Sequence, residues 1–131
     1  MYVRFITPWW RVRRGIDCGL FGPAYARARD LDVPCLLREA LWAEIGWFEE
    51  HLPVPSRFCV RSHRRWLAHG ICWFVDDARE AIARAFALAA LLGECGVPAR
   101  KVATRRPGQV LYRDPWQIVA KPDPATPTLW H

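Results

Sequence analysis

The 131-residue chain has the length of one ordinary domain, and 52% hydrophobic with 24% charged residues is the composition of a globular protein with a substantial core, not of a disordered one. The longest apolar runs fall well short of the ~20 residues of a membrane span. The net charge is +6, and all but two of the 19 basic residues are arginine, the cation that binds phosphate and carboxylate bidentately and stacks on aromatic rings. A GC-rich coding sequence gives the same bias without any function.

Tyr2 to Thr7 alternates as a strand, ended by Pro8. Trp9-Trp10 and the basic run Arg11, Arg13 and Arg14 follow, then a loop containing Gly15, Gly19 and Gly22. A short helix is expected from Pro23, with Tyr25 and Ala28 inward and Arg27 and Arg29 outward. The next helix, over residues 34–51, has Asp32 as its expected cap and Leu37, Leu41, Ile45, Phe48 and Leu52 as its core stripe. Trp42 and Trp47 widen that stripe, and Pro53-Val54-Pro55 ends it. Arg57 to His69 is basic and aromatic, and reads as a strand at 58–60 followed by a loop.

Gly70 to Val75 reads as a buried strand. Asp77 with Glu80 three residues later forms a capping-box pattern for a helix over 77–95. Its expected stripe is Ile82, Ala85, Phe86, Ala89 and Leu92, with Gly96 and Pro98 as stop signals. Arg100 to Arg105, Gln109 to Arg113 and Trp116 to Ala120 read as strands divided by Pro107-Gly108 and Asp114-Pro115.

These elements predict a single α+β domain over 1–121 with a mixed sheet of four or five strands. The expected sheet contains a βαβ crossover and a C-terminal antiparallel meander, and the two main helices cover one face. Pro122, Pro124 and Pro127 predict an extended tail over 122–131, with Trp130 available to dock. Met1-Tyr2-Val3-Arg4 lacks the order of a signal peptide. Five cysteines without framework spacing point to a reducing cytoplasm.

Arg57, Arg61, Arg64 and Arg65 around His63 and Trp66 form the densest basic cluster, supported by Arg13, Arg14, Arg105 and Arg106. Cations interleaved with aromatics suit nucleic acid, and equally an acidic protein surface. A solvated loop with ordinary surface arginines is the plain alternative. Cys59, His63, His69 and Cys72 offer four zinc-type ligands at unusual spacing, but Cys72 sits in an apolar run, and unrelated core and surface residues are the better reading of the four. Asp76-Asp77 stands at a strand-to-helix junction where α/β proteins place ligands, but two carboxylates there repel phosphate, and helix capping explains them. Gly19 to Pro23 is a possible anion loop that matches no nucleotide fingerprint.

Serine occurs only at Ser56 and Ser62, without a nucleophile elbow, and no cofactor motif is present. The leading expectation is a non-enzymatic protein of the cytoplasm, outside the membrane, that presents arginine and tryptophan to an anionic macromolecule, either nucleic acid or an acidic protein. The alternatives are a small enzyme or ligand-binding domain with a pocket near Asp76-Asp77 and Gly19–Pro23, and a zinc-stabilised module.

Overall fold

The computed structural model describes residues 1–8, 19–53 and 70–127. Along them run β1 (Tyr2–Ile6), α1 (Phe21–Arg29), α2 (Cys35–His51), β2 (Ile71–Val75), α3 (Arg79–Glu94), β3 (Arg100–Thr104), β4 (Gln109–Arg113) and β5 (Gln117–Lys121). Among the described residues the architecture is α+β: three helices and a five-stranded sheet in the order β3-β1-β2-β5-β4.

Each hydrogen-bonded strand pair is antiparallel, so the expected mixed sheet is corrected. The reason is β1. Tyr2 pairs with both Val75 of β2 and Thr104 of β3, which places β1 between the two strands that α3 connects. β2 and β3 therefore point the same way without touching, and the crossover is split around an antiparallel strand. The expected antiparallel meander of the two C-terminal strands is present as the β4–β5 hairpin, and β3 and β4 occupy opposite edges.

That order also dictates the sheet's shape. Thr104 lies level with the top of the sheet, whereas Gln109 pairs with Lys121 at the bottom of the far edge. Four strand spacings of ~4.8 Å plus a strand's length separate those corners by over ~20 Å in a flat sheet. Five peptide steps reach at most ~18 Å. The sheet must therefore coil, and contacts hold the connection at its β4 end. The Thr126 hydroxyl, beyond β5, donates to the carbonyl of Arg106, and Gly108 lies against the carbonyl of Lys121.

Alternation in β1 directs Val3 and Phe5 to the helix side, where they join Leu41, Ile45 and Phe48 of α2 and Ala81, Ala85, Leu88 and Leu92 of α3 in the main core. Phe48 meets Phe21 of α1 edge-on at 5.0 Å and Phe74 of β2 at 6.2 Å, tying helices to sheet. On α3 the buried stripe is 81, 85, 88 and 92, so it is rotated from the expected one. Phe86 is 49% exposed and makes an edge-to-face contact with Phe5 at 4.8 Å. Alanines at 81 and 85 let the helix approach the sheet closely, and Phe86 is left beside the gap.

Helix ends differ in how far local chemistry decides them. Gly96 takes φ +80°, the N–H of Val97 donates to Leu92, and that of Gly96 donates to Gly93. This is the Schellman arrangement, with Val97 and Leu92 both in the core. At the other end the capping box is not formed. The N-cap position is Ala78, whose N–H donates to Val75, and no side chain caps the helix. Asp32 likewise leaves α2 uncapped: its own N–H donates to Asp30, and Pro34 occupies the N-cap position.

The opposite face of the sheet is also buried, with Ile71, Trp73, Ile118 and Ala120 in a second cluster. Trp73 is 1% exposed and its indole N–H has no hydrogen-bond partner among the described residues. Burying such a donor costs about 1–3 kcal/mol, comparable to the loss on shrinking the ring. Trp73→Phe is therefore expected to change stability by less than about 1 kcal/mol in urea unfolding, whereas Trp73→Ala should cost about 3–5 kcal/mol.

Candidate anionic-ligand surface

Charge is segregated along the chain. Residues 30–53 hold six carboxylates against the single basic residue Arg38. Residues 95–113 hold no carboxylate and five cations: Arg100, Lys101, Arg105, Arg106 and Arg113. The first window spans α2, where Glu39, Glu49 and Glu50 are exposed. The second spans the edge strand β3 and its exit toward β4.

Arg105 and Arg106 are both exposed just past the end of β3. The turn holding them is fixed from two sides: the Arg106 N–H donates to the Thr104 hydroxyl at 2.9 Å, and the Arg106 carbonyl accepts from Thr126 at 3.0 Å. Neither guanidinium has an ion-pair partner among the described residues. The ion pairs described lie elsewhere: Arg27 with Asp30, Arg84 with Glu44, and the Met1 ammonium with Asp76. Further down the edge, the Lys101 ammonium stands 5.9 Å from the centre of the Phe86 ring.

Of the other residues expected to bind, Arg13, Arg14, Arg57, Arg61, Arg64, Arg65 and Trp66 lie outside the described residues. So do Cys59, His63 and His69. Cys72, the fourth of the zinc set, is exposed on β2 and not buried among apolar neighbours. It shares the helix side with Phe74, but at the opposite end of the strand. No cluster of three or more metal-type ligands occurs among the described residues.

Asp76 and Asp77 are exposed in the turn before α3. Phe21, Gly22 and Pro23 form the first turn of α1, with Pro23 buried, so the expected glycine loop is helical in its second half. An open groove of about 470 Å³ runs instead between α2 and α3, walled by Ala40, Ala43, Ala87, Ala90 and Leu91. Only Glu44 and Glu94 bring polar side chains to it, with no nucleophile or imidazole.

Aromatic residues on the helical side are committed to one another. Arg84 lies over Trp47 at 5.3 Å, while His51 stacks on the same ring at 4.6 Å. Arg29 lies over Tyr25 at 5.3 Å and Trp42 at 6.0 Å. The Tyr25 hydroxyl donates to Glu49, and this bond, with burial and the Glu49 charge, raises its pKa above 10.0. The neutral phenol is favoured in the folded state. This contribution is complete below pH ~10 and is lost as pH rises through the folded value. Subtracting the absorbance titration of Tyr25→Phe from that of the wild type should reveal one phenol ionising above pH 10, and Glu49→Gln should move that midpoint down.

Lys101 and Phe86 were not anticipated from sequence as surface neighbours. The acid-free window from Cys95 to Arg113 was a readable signal for this edge. No family model, curated protein or solved structure matches the chain.

No helix among the described residues is long and apolar enough to cross a membrane.

Proposed function

We propose that the protein is a non-enzymatic binding module of the cytoplasm that engages an anionic macromolecule, nucleic acid or acidic protein, through its arginine-rich surface. The observation that carries this reading is the exposed Arg105–Arg106 pair, without a carboxylate partner among the described residues, at the end of an edge strand in an acid-free stretch. Unneutralised neighbouring cations repel one another and gain by meeting an anion. The expected contribution of Arg57, Arg61, Arg64 and Arg65 to phosphate or carboxylate, of Trp66 to stacking, and of Arg13 and Arg14 in support rests on the sequence alone.

Binding to single- and double-stranded nucleic acid and to an acidic polypeptide, measured at about 50 and 200 mM salt, tests the proposal. At least one ligand should bind at low salt and weaken severalfold at high salt. Exchanging both Arg105 and Arg106 for Glu should weaken that binding about tenfold or more, because each exposed cation becomes a repelling anion. Absence of low-salt binding to every ligand, or indifference to salt, would sink the proposal.

A further inference from the structure

Resting on that reading, we infer that the anionic partner is an extended acidic polypeptide segment, which adds to the outer edge of β3 as a further strand. β3 pairs with β1 on one side, and no strand among the described residues pairs with its other side. Successive N–H groups of a strand point to opposite sides, so about half of the main-chain donors and acceptors of β3 point outward. An extended peptide satisfies such groups as a ladder.

The two edges of the sheet are not equivalent. β4 carries a bulge, with Val110 opposite Ala120 and Tyr112 opposite Val119, so that Leu111 is the extra residue. A bulge disrupts the spacing that an incoming strand needs. β3 keeps unbroken register with β1 from Arg100 to Thr104. Its side chains then select the occupant. Lys101 lies on the strand, and Arg105 and Arg106 follow its end, with no carboxylate in the sequence from Cys95 to Arg113. Another copy of β3 would bring cations against cations, whereas an acidic strand brings the complementary charge.

Nucleic acid meets only part of this surface. It offers phosphate to the arginines, but it cannot form the strand ladder along the same edge. The aromatic ring beside the edge, Phe86, already has the Lys101 ammonium 5.9 Å from its centre and Phe5 edge-on at 4.8 Å, so a base stacking there would compete with the cation. Its 49% exposure instead suits an apolar side chain from a strand whose alternate residues turn toward the helices.

The test uses the full chain and a capped peptide of about ten residues, alternating Glu and Thr with one central Phe. A single-stranded oligonucleotide serves as the competing probe. Amide hydrogen exchange is followed with and without each ligand. The peptide should bind at low salt and weaken severalfold at high salt, and an outward-facing amide within residues 101–104 should exchange at least tenfold more slowly at saturation. Exchanging Arg105 and Arg106 for Glu should remove both effects while preserving the fold, since both side chains are exposed. Of Val102→Pro and Ala103→Pro, the one that replaces an outward N–H should fold, keep its charge and lose the protection. Peptide binding without β3 protection overturns this inference and leaves the broader proposal standing, as does binding of the oligonucleotide alone. Failure of both ligands to bind at low salt overturns both.

Discussion

Gly108→Ala is expected to destabilise the domain by about 3 kcal/mol and lower its melting temperature by about 10 °C. Two effects add. Gly108 has φ +100°, where an L-residue is strained by about 1–2 kcal/mol. Its new Cβ would also stand 1.9 Å from the Lys121 carbonyl oxygen, 2.8 Å from its carbon and 2.9 Å from the Pro122 Cα. All three obstacles are backbone, so no rotamer change relieves the clash. The chain must move at the first β4–β5 pair, Gln109 with Lys121, and each hydrogen bond lost there costs about 1 kcal/mol.

Two other glycines separate these effects. Gly96 has φ +80° with open space where a Cβ would go, so Gly96→Ala should cost only the strain, about 1 kcal/mol. Gly46 lies within α2 with open space and no positive φ, so Gly46→Ala should stabilise by up to about 1 kcal/mol. Urea unfolding should rank the variants with Gly46→Ala above the wild type, Gly96→Ala below it and Gly108→Ala lowest. If Gly96→Ala and Gly108→Ala were equal, the Lys121 contact would have no energetic weight.

The contrast between these glycines also shows what sequence can disclose. Gly96 was readable as a helix stop, because the Schellman signal is local and ends a periodic apolar segment. Pro107-Gly108 was readable as a turn, but not as a close contact, because Lys121 is brought there by strand pairing. The same limit explains the sheet. The apolar run of β2, the periodicity of α3 and the identity of β3 were all legible, yet nothing in that segment indicates that β1, remote in sequence, inserts between its two strands. The capping pattern failed for a local reason: an Asp-x-x-Glu pattern permits a cap at Asp77 but does not require one, and the Val75–Ala78 turn starts the helix later. The helical spacing from Ile82 places Phe86 on the inner stripe, whereas the buried stripe is Ala81, Ala85, Leu88 and Leu92. Arg105 and Arg106 were legible as cations, but their position just past a regular strand at the edge of the described sheet depended on the same long-range pairing.

The second large effect belongs to Asp114, at the β4–β5 turn, where replacement by alanine should cost about 2–4 kcal/mol. One carboxylate oxygen accepts the N–H groups of Trp116 at 2.7 Å and Gln117 at 3.0 Å. The other accepts the Tyr112 hydroxyl at 2.7 Å and the Gln117 side-chain amide at 3.2 Å. Gln117 is only 3% exposed, and its amide also donates to the Pro53 carbonyl at 2.7 Å, linking the exit of α2 to the start of β5. Alanine would leave the Trp116 and Gln117 backbone donors without their acceptor, and water can replace the carboxylate only in part because the site is half-buried. Asp114→Asn should cost less, about 1–2 kcal/mol, since its carbonyl oxygen can retain the two backbone bonds while its amide cannot accept from Gln117. Gln117→Ala removes some of the same bonds, so its effect combined with Asp114→Ala should be smaller than the sum of the separate effects. Urea unfolding of the two single variants and the double variant measures that coupling. Strict additivity would mean that the carboxylate and the Gln117 amide act independently, and that the turn does not transmit stability from β5 to the end of α2.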